Sequence, residues 1–166
     1  MACSMKEIVK YYEDGKLKEK GLANKKGKQG KWQFYNENGS LFIEAEYKDD
    51  EEHGVFIRYF EDGKIAIKSN FKNGVREGHG IEYYENGHAR EEWIYESGEY
   101  SPINFWDEKG NQLMKDGTGK KLEEFHSGLK VEQYFENGRA IKEVKLNTIS
   151  YGKFIPKGEE NINGGE

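Results

Sequence analysis

The chain has 166 residues, of which 34% are apolar, 34% are charged and 14% are aromatic, and its formal net charge is −5. The aromatic content excludes a disordered chain, and no apolar run approaches the roughly 18 residues that a membrane helix needs. The negative charge disfavours binding to nucleic acid or anionic lipid by bulk charge. We expect one cytoplasmic domain, because Met1–Lys10 lacks the apolar stretch of a signal peptide and Cys3 is the only cysteine.

A 24-residue repeat runs through the first half of the sequence. Tyrosine recurs at this interval, at Tyr11, Tyr35, Tyr59 and Tyr83. Glycine follows four residues after each tyrosine, at Gly15, Gly39, Gly63 and Gly87, and a second glycine series is Gly30, Gly54 and Gly78. Similar aromatic–acidic–glycine strings return out of step and end at Gly110 and Gly138. A fixed period of this kind indicates a row of similar supersecondary units.

Each repeat is predicted to be a β-hairpin. Asn-Gly and Asp-Gly pairs between apolar segments favour hairpin turns, because both residue types tolerate positive φ. Such turns are predicted at Asp14-Gly15, Asn38-Gly39, Asp62-Gly63, Asn86-Gly87 and Asn137-Gly138. Apolar residues then alternate with polar ones, and no segment shows a 3.6-residue stripe. The sequence therefore predicts an all-β fold, an elongated and twisted antiparallel meander of ~24-residue hairpins with little or no helix.

The predicted domain covers residues 1–151, with regular repeats over 8–96 and irregular repeats over 97–151. Pro102 stands where the 24-residue step would place a glycine, so the stretch that begins at Ser97 is the least regular. Residues 152–166 are polar and glycine-rich, which predicts a flexible tail.

These strings resemble the MORN repeat, and more closely its bacterial variant, in which a Tyr-Tyr/Phe-Glu-Asn/Asp-Gly turn precedes Lys-Leu or Lys-Ile and an aromatic-ended strand. The segments Gly30–Gly39, Gly54–Gly63 and Gly78–Gly87 carry the resemblance. It implies a β-meander binding module. The variant includes a family of antitoxins or immunity proteins, which neutralise a cognate toxin encoded nearby.

No catalytic, metal or cofactor site is predicted. His79 and His88 lack a metal-ligand spacing, and Asp116–Lys120 only echoes a phosphate loop because the full spacing is absent. Paired carboxylates recur with the repeat, which favours solvated turns over a unique catalytic pair. An enzyme stays open as an alternative. It would need a convergent polar site in the irregular stretch, for which the candidate residues are Glu123, Glu124 and His126.

Two features are candidates for a binding surface. Asp49, Asp50, Glu51 and Glu52 form an acidic run one repeat after the basic Lys25–Lys28, which indicates either solvated turns or a charged rim for a partner. Trp93, Tyr95 and Trp106 lie around the irregular stretch, and exposed aromatic residues beside charges favour protein binding.

The favoured hypothesis is a non-enzymatic antitoxin or immunity protein that covers the active site of a cognate protein toxin. The toxin would present a basic cleft, which the acidic chain complements. We expect no nucleic-acid partner, no membrane insertion and no cofactor, and a monomer or weak dimer. The alternative is a scaffold or membrane-surface adaptor that acts through its open sheet edges, by homo-oligomerisation or β-augmentation.

Overall fold

A computed structural model describes residues 4–125 and 127–146. Within these ranges the chain forms fourteen β-strands and no helix, so no helix there could cross a membrane. The strands are β1 Lys6–Tyr11, β2 Leu17–Asn24, β3 Gly27–Tyr35, β4 Leu41–Lys48, β5 Glu51–Tyr59, β6 Ile65–Lys72, β7 Val75–Arg76, β8 Gly78–Tyr83, β9 Ala89–Glu96, β10 Glu99–Trp106, β11 Gln112–Lys115, β12 Thr118–Glu124, β13 Lys130–Glu136 and β14 Arg139–Lys145. Cys3, His126, the end of the predicted domain at 151 and the predicted tail lie outside the described residues.

All fourteen strands belong to one open antiparallel sheet in chain order. The short β7 is the single departure from that path, because both β7 and β8 pair with β6. The predicted all-β meander of hairpins is confirmed.

The strand ends along one side of the sheet carry the glycine turns of the tyrosine series. This row of strand ends is here called the turn edge, and it is distinct from the outer strands of the sheet. In the first of these turns the amide of Gly15 donates to the carbonyl of Tyr12 (3.0 Å), and the Tyr12 amide donates to the carbonyl of Lys16 (2.8 Å). The same two bonds recur at 36–40, 60–64, 84–88, 107–111 and 125–129. The sixth turn of this edge therefore ends at Gly128, and the assignment of Gly138 to the same series is wrong.

In the turns of this edge only the glycine has positive φ, and the residue before it does not. Gly15 has φ of 84°, whereas Asp14 is not among the residues with positive φ. The Asp14 carboxylate instead accepts a hydrogen bond from the Lys16 amide (3.0 Å), and Asn38, Asp62 and Asn86 accept the equivalent bond. The short polar side chain therefore acts as a cap for the turn, and glycine alone supplies the left-handed conformation.

The strand ends on the opposite side, here called the return edge, carry two-residue turns, and in each of these described turns except Lys25-Lys26 both residues have positive φ. Asp49-Asp50, Asn73-Gly74, Ser97-Gly98, Asp116-Gly117 and Asn137-Gly138 are of this kind. Asn137-Gly138 does close a hairpin, as predicted, because Glu136 pairs with Arg139. It lies on the return edge, where the Gly138 amide donates to the carbonyl of Gly117 (2.9 Å).

The sheet buries Trp32 and Trp93 by laying each ring over a glycine of the neighbouring strand. A Cβ atom at Gly21 would lie 2.4 Å from the Trp32 ring, and one at Gly80 would lie 2.5 Å from the Trp93 ring. Ala45 pairs with Trp32 on the other side, and the two tryptophans are only 2% and 5% exposed. Large rings beside small residues therefore give a single-layer sheet a core.

The later strands bury apolar side chains in a different way. Phe105, Met114 and Phe135 form a cluster from β10, β11 and β13, with Leu113 packed against it. The register of β10 against β9 shifts between Pro102 and Asn104, which coincides with the irregularity that the sequence shows there.

Candidate interaction surface

The acidic run lies on the return edge, stacked on the basic turn of the preceding repeat. Asp49 forms an ion pair with Lys26 (Oδ2–Nζ 2.8 Å) and accepts a hydrogen bond from the Gln29 side chain (3.0 Å). These two hydrogen bonds, that from Lys26 first, hold the pKa of Asp49 below its ordinary value. The charge of Asp49 is therefore engaged within the molecule.

Asp50 also contacts the preceding turn. Its carboxylate accepts a hydrogen bond from the Lys28 amide, and its own amide donates to the Lys28 carbonyl, both at 3.1 Å. Glu51 is exposed, whereas Glu52 is half-buried and its carbonyl accepts the Gly74 amide (2.9 Å). The return turns thus stack on one another. The side chains of Asp49 and Asp50, two of the four predicted acidic residues, stabilise that stack.

The three predicted aromatic residues occupy different places. Trp93 is buried over Gly80. Tyr95 is half-buried near the return edge, where its ring lies 5.6 Å from that of Tyr100. Trp106 is half-buried at the end of β10, next to the turn edge. At about 3.3 Å per residue along β10, Trp106 is roughly 20 Å from the position that pairs with Tyr95, so the sheet does not bring all three together.

The repeated tyrosines brace neighbouring strands. The Tyr59 hydroxyl donates to Glu44 (2.9 Å). Burial is the larger cause and this bond the next, and together they raise the pKa of Tyr59 to about 12. Tyr12 and Tyr84 donate to the carbonyls of Tyr35 and Trp106 in the next repeat (2.6 and 2.9 Å). These hydroxyl groups therefore connect neighbouring repeats by hydrogen bonds.

Three hollows follow one another along the turn edge, with volumes of about 470, 620 and 510 Å³. The first and second share Phe60 and Glu85, and the second and third share Tyr84, Arg90 and Glu108. The three hollows are therefore neighbours, and together they are here called the turn-edge groove, whose lining extends from Asn36 to Lys130. Sequence reasoning missed it, although the repeated Tyr/Phe-Glu-Asp/Asn turns supply much of its lining.

The turn-edge groove combines aromatic rings with carboxylates. Its aromatic lining is Phe42, Tyr59, Phe60, Tyr83, Tyr84 and Phe105. Its acidic lining is Glu61, Asp62, Glu82, Glu85, Asp107, Glu108 and Glu124. Arg90, Lys109 and Lys130 are its basic residues. The lining thus combines aromatic rings with a net negative charge.

A cluster centred on the buried pair Lys121 and Glu91, here called the buried ion cluster and also missed from the sequence, joins the regular strands to the irregular ones. The Lys121 ammonium lies 2.9 Å from Glu91 and 3.1 Å from Glu123, and it donates to the hydroxyl of Tyr100 (3.1 Å). Tyr100 in turn donates a hydrogen bond to Glu91. Burial and the charge of Glu91 raise the pKa of Tyr100 well above its ordinary range. The separations between these residues in the sequence are irregular, so no motif marks the cluster.

This cluster also bears on the residues of the enzyme hypothesis. Glu123 is held by Lys121, and Glu124 forms an ion pair with Lys130 (2.9 Å), while His126 lies outside the described residues. Over residues 4–125 and 127–146, no group of three or more His, Cys, Asp or Glu side chains could hold a metal ion. His88 lies beside the carbonyl of Glu108, at 3.0 Å from Nδ1, rather than beside another histidine.

Comparison with protein families finds a match to the MORN repeat variant at residues 7–24, 28–49 and 52–73. The three matched segments fall within β1–β2, β3–β4 and β5–β6, which are the first three hairpins. The match supports a protein built from MORN repeats, and such repeats suggest a protein-binding module in a generally non-enzymatic family. A comparison with curated proteins finds no match.

Proposed function

We propose that this MORN-repeat chain is a non-enzymatic protein-binding module. The observation that carries the proposal is the turn-edge groove, a row of neighbouring hollows with aromatic and acidic lining on a sheet of one layer. Phe42 in its lining is 37% exposed, and aromatic area beside polar groups is typical of protein interfaces.

The finer proposal is that the module is a cytoplasmic antitoxin or immunity protein, which binds a cognate toxin over its basic active-site cleft. The net charge of −5 and the excess of carboxylates in the groove support a cationic partner. Exposed Glu51 on the return edge adds to the negative electrostatic potential of the surface. Complementary charge would speed association and select the partner, while aromatic contacts would slow its release.

The experiment is co-expression of the tagged chain with the product of the adjacent gene. We expect the two to co-purify as a stable complex and the chain to restore the growth of cells that express that product. A catalytically inactive version of the toxin serves as the control, because it should still bind. If the neighbour's product is toxic but neither binds the chain nor is neutralised by it, the antitoxin proposal is wrong.

A homo-oligomeric scaffold would need to use the outer strands of the sheet. The outer strands of the described sheet carry charges that oppose edge-to-edge pairing, Lys6, Glu7 and Lys10 on β1 and Arg139, Lys142 and Glu143 on β14. We therefore propose a monomer in the absence of partner. Sedimentation equilibrium at two concentrations checks this, and a stable dimer would favour the scaffold.

A further inference from the structure

We propose that the turn-edge groove binds an extended, arginine- or lysine-rich segment of a partner protein, with apolar side chains between the basic ones. The inference rests on the proposed protein-binding function and names the partner's chemistry and the place where it binds. It differs from the sequence-based hypothesis, which puts the contact at the acidic run and at Trp93, Tyr95 and Trp106.

The groove is long enough to hold an extended peptide segment. Its lining begins at the turn after β3 and reaches β13, and the hollows are joined through shared residues. Neighbouring strands are about 4.8 Å apart, so this path is up to about 40 Å long. An extended chain covers about 3.3 Å per residue, and a segment of about 12 residues would span the groove.

Three carboxylates of the groove are available to a cationic partner. Glu61, Glu85 and Glu108 are exposed, and their carboxylates have no hydrogen bond or ion pair to any other described residue. Asp49 and Asp50 on the return edge are both engaged by the neighbouring turn. Cationic side chains of a partner would therefore find available charge on the turn edge.

The groove already holds one guanidinium group in the manner proposed. Arg90 lies over the ring of Tyr84 (5.9 Å from its centroid) and donates to Glu82 (3.1 Å). A ring face together with a carboxylate is a site that suits arginine, through cation–π contact and a charged hydrogen bond. Phe60, one repeat earlier, lines the groove beside Glu61 and Glu85, and no described cation lies over its ring.

The test uses the full chain and two fluorescent 12-residue peptides, one of alternating Arg and Leu and one of alternating Glu and Leu. We expect the arginine peptide to bind with an affinity that falls as salt rises, and the glutamate peptide not to bind. A triple variant, Glu61→Lys, Glu85→Lys and Glu108→Lys, is expected to weaken arginine-peptide binding at least about tenfold.

A matched triple variant separates the groove from net charge. Glu96→Lys, Glu99→Lys and Glu136→Lys change the charge by the same amount at exposed residues of the return edge. We expect this variant to bind the arginine peptide within about twofold of the unaltered chain. Circular dichroism and thermal melting establish that both variants are folded. If one triple variant does not fold, the three Glu→Lys substitutions are tested one at a time instead.

Equal weakening by both triples, no weakening by the groove triple, or no binding of the arginine peptide would each overturn the inference. Binding of the glutamate peptide or of single-stranded DNA at the same groove would overturn it as well. If the neighbouring gene's product binds the groove triple as well as the unaltered chain, the antitoxin proposal stands and the groove assignment fails. If the peptide binds in the groove while that product does not bind at all, the groove assignment stands and the antitoxin proposal fails.

Discussion

The regular strands β1–β9 and the later strands β10–β14 bury apolar side chains by different means. In the regular part each tryptophan covers a glycine of the adjacent strand, and Trp32 also lies against the rings of Phe34 and Tyr47. In the later part Phe105, Met114 and Phe135 meet in one cluster, and Lys121 reaches Glu91 and Tyr100 across strands that are not adjacent.

The difference shows what an exact repeat can and cannot do. The 24-residue period places a large ring against a small residue of a neighbouring strand, as in the pairs Trp32 with Ala45, Phe56 with Ser69 and Trp93 with Gly80, so each unit is stabilised by its two neighbours. Once the period is lost, contacts between non-adjacent strands have to replace that arrangement. We therefore expect substitutions in the later part to be more destabilising than equivalent ones in the regular part.

The largest expected effect comes from the same substitution made in both parts. Phe105→Ala removes a side chain that is 1% exposed and should cost roughly 3–5 kcal/mol of unfolding free energy. Phe56→Ala removes a half-buried ring that contacts Phe71 (5.4 Å) and should cost about half as much. Urea unfolding of both variants measures the difference, and equal losses would contradict the distinction between the two parts.

The buried ion cluster should give the next largest effect. Lys121→Met leaves Glu91, which is 5% exposed, without its cation, and should cost roughly 3 kcal/mol. The double variant with Glu91→Gln removes both charges and should recover part of the loss. A double variant less stable than Lys121→Met would show that Glu91 does not depend on this ammonium.

A methyl group beside the tryptophan ring should have a smaller effect. Gly80→Ala places a Cβ atom 2.5 Å from the Trp93 ring, and the ring has to move, at a cost of about 1–3 kcal/mol. Adding Trp93→Phe relieves the overlap, so the two changes together should cost less than the sum of each alone. Chemical denaturation of the three variants checks this, and simple additivity would exclude a direct contact.

The smallest expected effect is a loss of stability in acid. Hydrogen bonds from Lys64 hold the pKa of Asp62 below its ordinary value of 3.8, and those from Lys120 and Tyr134 lower the pKa of Glu132 from 4.5. Folding lowers these pKa values, so their stabilisation is complete above the ordinary values and is lost as the pH falls through the lowered ones. Thermal melting at pH 7, 5, 4 and 3 should show little change to pH 5 and a decline below it. A midpoint that stays constant to pH 3 would contradict this.

The sequence was informative wherever a feature was copied. The repeated turn strings correctly predicted hairpins, strand order and an all-β sheet, because local turn chemistry and alternation decide both. The string at Asn137-Gly138 was misleading, since the same letters serve a capped turn on one edge and a two-residue turn on the other. Which one forms depends on the strand pairing around it.

The acidic run shows the same limit for the candidate site. The sequence places Asp49 and Asp50 in a turn, but only the stacked strands bring Lys26 and Lys28 against them. The turn-edge groove likewise depends on how far each turn is displaced from the next. The period therefore determined the meander by itself, because hairpin formation is local. Charge pairing, ring burial and the groove were decided by tertiary structure, because they depend on contacts between residues about one repeat apart or farther.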